Sequence, residues 1–155
     1  MSSRVILLAG LPRSGKSTYS REQVEKGSIP SAAIVNPDSI RLAIHGRLHY
    51  PQADQFVWYV AKIMTKALFL AGHENVIVDA TAITRWQRDS WRKEMLFSDL
   101  KDFSVEIVHI NTSKEECIRR AVDSNQKHMI PVIEKMAEDF EPFDEDENVV
   151  LTIRG

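Results

Sequence analysis

Eight consecutive residues, Gly10-Leu11-Pro12-Arg13-Ser14-Gly15-Lys16-Ser17, have the types and spacing of a loop that cradles phosphate. The glycines allow a curl tight enough to aim several backbone N–H groups inward. Such a row of amides, followed by a helix N-terminus, is an anion site. Lys16 can extend to the distal phosphates of a nucleotide as a mobile point charge. The Ser17 hydroxyl is a hard oxygen ligand of the kind Mg²⁺ takes. Gly10 through Thr18 are therefore candidate contacts for ATP and Mg²⁺. Arg13 could face the phosphates or the outer side of the loop, and Thr18 belongs to helix surface or core.

Two carboxylates are candidates to act beside that loop. In Asn36-Pro37-Asp38-Ser39-Ile40-Arg41, Asp38 can accept a proton from a hydroxyl next to the γ-phosphate while Arg41 neutralises phosphate charge. The competing role for Asp38 is a cap on a helix over residues 39–44. The second carboxylate ends the apolar run Val76-Ile77-Val78-Asp79-Ala80-Thr81. Asp79 there can hold Mg²⁺ or orient the site, with Thr81 close to the substrate.

Basic and aromatic residues follow. Arg85, Arg88, Arg92 and Lys93 fall on one expected helix with Trp86 and Trp91, and Arg88 and Arg92 share a face. Basic residues among aromatics can hold phosphates and stack bases. Arg85, nearest to Asp79, is the candidate contact for a substrate phosphate. The tryptophans are read as core anchors, and Tyr50, Trp58 and Tyr59 as core or groove wall. The histidines show no metal spacing, and His45 and His49 are separated by Gly46. Cys117 is the single cysteine, so it forms no internal disulfide and is expected to be structural.

These side chains need a scaffold, and the hydrophobic pattern predicts one. Residues 4–9, 32–35, 76–78, 104–110 and 149–153 are short apolar runs that read as buried strands. Residues 16–26, 52–71, 84–100, 113–122 and 131–140 read as helices. Within 52–71, Phe56, Val60, Ile63, Met64, Ala67, Leu68 and Ala71 follow the rhythm of one helical face. Alternating strands and helices imply an α/β fold: a five-stranded, mainly parallel sheet with helices on both faces. Ligands of such sheets sit at the carboxyl ends of the strands, where the phosphate loop, Asp38 and Asp79 all fall.

A chain of 155 residues with 43% hydrophobic content matches one ordinary domain with a real core. Its net charge of −2 argues against a module that coats nucleic acid, yet it hides an asymmetry. Residues 1–93 hold 13 Lys+Arg against 7 Asp+Glu, a balance of +6; residues 94–155 hold 7 against 15, a balance of −8. A negatively charged ligand is expected in the first part, and Asp144-Glu145-Asp146-Glu147 as solvated acidic surface. No apolar run approaches the ~20 residues of a membrane span, so a soluble, cytoplasmic chain with no membrane partner is expected.

The ordered set Gly10–Ser17, Asp38-x-x-Arg41 and Asp79-Ala80-Thr81, with Arg119-Arg120 and Ile130-Pro131, resembles the kinase domain of the polynucleotide kinase family over nearly the whole chain. The resemblance implies a single domain over residues 1–155. The fold would be a three-layer P-loop kinase with a small helical lid over about residues 119–136. It implies ATP-dependent transfer of the γ-phosphoryl group to a hydroxyl, typically the 5′-OH of DNA or RNA. Lys16 and Ser17 would bind ATP and Mg²⁺, Asp38 would be the general base, and Arg41 and Arg85 would contact the acceptor. The alternatives are a small-molecule alcohol as acceptor, or a nucleotide-binding module without catalysis. The chain departs from the family where a lid arginine usually precedes the proline: Ser124-Asn125-Gln126-Lys127-His128 has none. Arg120 or Lys127 is left to face ATP, although a lysine does not reproduce a guanidinium fork. No counterpart of the phosphatase domain that accompanies the kinase in the phage enzyme is expected. A groove lined by Arg41, Arg85 and Arg88 would mark a polynucleotide acceptor, and a closed small pocket a metabolite.

Overall fold

The computed structural model describes residues 2–48, 52 and 54–155. The readings of His49 and Tyr50 lie outside the described residues. The sheet has the order β2 (Ala32–Val35), β3 (Asn75–Val78), β1 (Ser3–Ala9), β4 (Phe103–Asn111), β5 (Val149–Arg154), and every neighbouring pair is parallel. The expectation of a mainly parallel sheet is thus met by a wholly parallel one.

The period-2 geometry of β1 sends its side chains into two layers. Val5, Leu7 and Ala9 join a core with Val57, Ala61 and Phe69 of α3 (Asp54–Leu70) and Trp91 of α4 (Arg85–Arg92). Ile6 and Leu8 face the other way, toward Tyr19 of α1 (Lys16–Glu25). Burial on both faces explains why the strands read as continuous apolar runs. A third cluster unites Cys117 and Ala121 of α5 (Lys114–Asp123) and Ile133 of α6 (Ile130–Asp139) with Leu11 of the phosphate loop. Pro131 sits in the first turn of α6, where its missing N–H costs no hydrogen bond. Cys117 is fully buried, and burial pushes its thiol pKa up, as suits a structural residue. Among the described residues no helix is long and apolar enough to cross a membrane.

Three expectations are corrected. Residues 84–100 are not one helix: α4 ends at Arg92, and a 3-10 turn over Met95–Phe97 follows. Glu94 separates them. One of its carboxylate oxygens accepts from Leu96 N, and the other pairs with Lys62 of α3 at 3.1 Å. A tertiary ion pair therefore overrides local helix propensity. The two tryptophans of α4 also part company: Trp91 is buried, whereas Trp86 is 74% exposed. Finally, α3 buries Val57, Ala61, Lys62, Thr65 and Phe69; of the apolar stripe, Val60 and Leu68 pack against the core whereas Phe56, Ile63 and Met64 are exposed.

The acidic stretch near the C-terminus is not simply solvated surface. Glu147 is buried and its Oε2 accepts from Nε of the equally buried Arg88 at 2.6 Å. Arg88 also donates to the carbonyls of Ala82, Glu141 and Pro142. Arg92 donates to the Asp146 carbonyl at 2.8 Å. The acidic surplus of the second part of the sequence thus lies against the basic helix of the first part.

Removing one partner of a buried ion pair strands the other charge, which typically costs about 3–5 kcal/mol. Glu147→Ala is expected to lower stability by about that much, read from the urea unfolding midpoint. Arg88→Met combined with Glu147→Leu recovers most of the loss. An unchanged midpoint in Glu147→Ala would show that the pair contributes nothing.

Candidate active site

Parallel register places Leu7 beside Val78 and Val78 beside Val35. Two backbone bonds extend that alignment beyond the strands. Asp79 N donates to Val35 O at 2.9 Å, and Gly10 N donates to Thr81 O at 2.9 Å. The phosphate loop, the Asn36 segment and Asp79 therefore meet at one edge of the sheet. Thr81 takes part through its backbone carbonyl.

The loop has the backbone that its glycines anticipate. A Cβ on Gly10 would stand 2.7 Å from the Ile110 carbonyl oxygen and 2.8 Å from Ser14 Oγ, so no larger residue fits. Gly15 has a φ of +107° and precedes α1, which has no side-chain N-cap. The amides of that first turn have no intrahelical partner and suit an anion. The Ser14 carbonyl faces outward, accepting from Thr112 Oγ1 at 2.7 Å and from Arg120 Nη1 at 3.1 Å. Arg120 Nη1 also donates to the Arg13 carbonyl at 3.2 Å, and Arg120 Nε pairs with Glu116. Arg13 itself points to the outer side, where its guanidinium donates to Ser124 Oγ at 3.0 Å. Lys127 is exposed in a 3-10 turn, so of the two candidate lid cations the fold brings Arg120 to the loop. Thr18 is exposed on α1.

Lys16 is buried and folds back on the loop, donating to the carbonyls of Leu11 at 2.7 Å and Gly10 at 3.2 Å. Burial lowers its pKa to about 8, against the opposing pull of Asp79, Cys117 and Asp38. Ser17 Oγ donates to Asp79 Oδ2 at 2.7 Å, and Asn36 Nδ2 donates to the same oxygen at 3.3 Å. Two oxygens bound side by side on an octahedral Mg²⁺ are about 2.9 Å apart, so the Ser17–Asp79 pair fits that ion. Among the described residues no cluster of three or more His, Cys, Asp or Glu could hold a metal.

Asn36, which the sequence reading passed over, decides the state of Asp38. Asn36 Oδ1 caps α2 (Pro37–His45) by accepting from Asp38 N at 2.9 Å and Ser39 N at 3.3 Å. The Asp38 carboxylate is therefore not the cap. Its side chain is 69% exposed and accepts from Arg41 Nη1 at 2.7 Å, and Arg41 also pairs with Asp54. An Asn before a Pro-opened helix is a legible N-cap signal, and it was available in the sequence.

Arg85 is not presented as a substrate contact. Its guanidinium donates to Asp89 at 2.9 Å, to Asp144 at 2.5 Å and to Asp146 at 2.7 Å. Hydrogen bonds to Asp146 and Asp89 raise its pKa further above the ordinary value. Beside Ser17 and Asp79, by contrast, a cavity of about 660 Å³ opens between α1, α2 and α3. Val60, which also packs on the core, and the exposed Met64 line it from α3.

A family profile described as an AAA domain matches residues 5–143, and the chain belongs to that family. No curated protein matches it. Among solved structures, the APS kinase CysC of Mycobacterium tuberculosis is similar over 99% of this chain and 88% of its own, at 21% identity and a TM-score of 0.62. A sugar kinase from Janibacter is similar over 99% of this chain and 86% of its own, at 17% identity and a TM-score of 0.68. A chain of the Pnkp1/Rnl/Hen1 complex is 25% identical over 77% of this chain but 39% of its own length, with a TM-score of 0.60. The fold is the one these solved structures share.

The lowered pKa of Lys16 sets a sign for proton linkage. Near and above pH 8 part of the ligand-free protein holds a neutral amine, whereas bound phosphate favours the ammonium. ATP binding is therefore expected to take up a proton: little near pH 6.5 and about half a proton at pH 8. Calorimetry in two buffers of different ionisation enthalpy measures this, and a buffer-independent enthalpy at pH 8 would contradict it. Gly10→Ala is expected to lose nucleotide binding in the same assay while its far-ultraviolet circular dichroism stays native.

Proposed function

We propose that this chain transfers the γ-phosphoryl group of ATP to a hydroxyl of a small molecule. The observation that carries this reading is the meeting, at one sheet edge, of the phosphate loop, the Ser17–Asp79 pair and an Asp38 relieved of capping, beside a cavity of about 660 Å³.

The chemistry follows from the placement. The loop amides hold the phosphates, and Lys16 exchanges the loop carbonyls for phosphate oxygens. The acceptor oxygen forms a bond to the γ-phosphorus as the bond to the bridging oxygen breaks. The electron pair leaves with ADP, and the hydroxyl proton passes to the Asp38 carboxylate. Arg41 steadies that carboxylate from 2.7 Å and supplies positive charge beside it. Ser17 and Asp79 would hold Mg²⁺, which would supply charge neutralisation for the transferring phosphate. Arg120 is close to the loop and in place to follow the nucleotide's charge.

A small acceptor is favoured over a polynucleotide by the state of the arginines. The groove that would mark a polynucleotide needs Arg41, Arg85 and Arg88 side by side. Arg88 is buried on Glu147, Arg85 is surrounded by carboxylates, and Arg41 lies between Asp38 and Asp54. The solved structures named as APS kinase and sugar kinase support the same reading. The likeness to the Pnkp1/Rnl/Hen1 complex makes a 5′-hydroxyl oligonucleotide the comparison substrate.

Asp38→Asn is expected to lower kcat by about 10²–10⁴-fold, with the Kd for ATP changed less than about threefold because the phosphate loop is untouched. ADP release with a phosphorylated acceptor confirmed by mass is the measurement. Equal rates for the two proteins would remove Asp38 from the mechanism.

A further inference from the structure

The cavity beside Ser17 and Asp79 is chemically lopsided. Ser17 and Asn36 meet Asp79 Oδ2 at one end of it, and Ser20, Arg21 and Ser39 are its other polar lining residues. The remaining wall is aliphatic: Ile34 of β2, Ile40, Ala43 and Ile44 of α2, and Val60 and Met64 of α3. These α2 and α3 residues thus form two sides of one apolar slot. A volume of about 660 Å³ lies within the range of small-molecule sites.

That wall discriminates between classes of acceptor. A sugar or polyol carries hydroxyls along its whole body, and each one buried against aliphatic carbon loses its water without gaining a partner. Each such loss weakens binding by about tenfold or more. An anionic acceptor needs a cation that faces it. Among the described residues Arg21 is the one cation in the lining, and its Nε donates to the Ser17 carbonyl at 3.3 Å. Arg41, Arg85 and Arg88 already serve carboxylates of the chain itself. On the kinase reading above, we infer that the acceptor is a neutral alcohol with an aliphatic or aromatic body. Its hydroxyl lies at the polar end by Ser17, Asn36 and Asp79, and its apolar body runs along the slot between α2 and α3. The transfer is the one already written, with the alcohol oxygen bonded to phosphorus, ADP leaving and the proton on Asp38.

The test uses the purified chain with ATP and Mg²⁺ and a panel of 3-phenylpropanol, 1-hexanol, glucose, adenosine and a 5′-hydroxyl oligonucleotide. ADP release and product mass are both read. The expected result is a kcat/KM for the apolar alcohols at least about tenfold above the other acceptors. Ile44→Asp and Met64→Glu, at positions 53% and 41% exposed and so tolerant of a polar side chain, probe the slot. Each is expected to raise KM for the apolar alcohol about tenfold, with kcat and the KM for ATP changed less than twofold. A preference for glucose, adenosine or the oligonucleotide overturns this inference and leaves the kinase reading standing. A preference for apolar alcohols that neither variant weakens overturns the assignment to this slot. ATP binding with no acceptor phosphorylated overturns both readings.

Discussion

Parallel strands cannot be joined by a hairpin; each needs a crossover, so their carboxyl ends collect on one side of the sheet. Here β1 is paired on both sides, with β3 and β4, and the loop that leaves it has no lateral freedom at its root. Gly10 continues that line so close to Ile110 that a methyl group would not fit, and Thr81 grips its amide from the other side. Asp79 and Asn36 arrive at the same edge because β3 and β2 are in register with β1. The site is thus assembled by the hydrogen-bond ladder, and its side chains have little conformational search left to make.

Charge in this molecule is organised by pairing. The basic helix α4 and the acidic segment over residues 144–147 neutralise each other at contact distance, and the most deeply buried pair, Arg88 and Glu147, ties the approach to β5 onto the body of the protein. Arg41 is similarly committed to Asp38 and Asp54. At the phosphate loop, Lys16 lies against the Leu11 and Gly10 carbonyls, and Arg120, paired with Glu116, reaches the Ser14 carbonyl.

Local pattern carried much of this to the sequence reader, and distance explains what it did not carry. The short strand 32–35 was legible to the residue because Asn36-Pro37 stops it, and the phosphate loop because its glycines are dictated by backbone geometry. Ser17 and Asp79 were each named from their own motifs as Mg²⁺ candidates, and their contact is a product of the fold. The fate of α4 was not foreseen. Arg85 and Arg88 meet carboxylates about sixty positions away, and nothing in a helical window reveals such partners. The break at Glu94 has the same origin, in a lysine 32 residues earlier. Periodicity also showed that α3 has an apolar face without showing that Val60 and Met64 of that face line a cavity while Leu68 packs on the core.

The outward grip on the Ser14 carbonyl has a geometric corollary. A trans peptide is rigid and planar, with its C=O and the following N–H pointing in opposite directions. By holding the oxygen of Ser14, Thr112 from the end of β4 and Arg120 from α5 rotate that whole plane. The Gly15 amide on its far edge is thereby turned toward the hollow of the loop. Two residues about a hundred positions away act as a torque on a single peptide unit and so set the direction in which the phosphate cradle presents its proton.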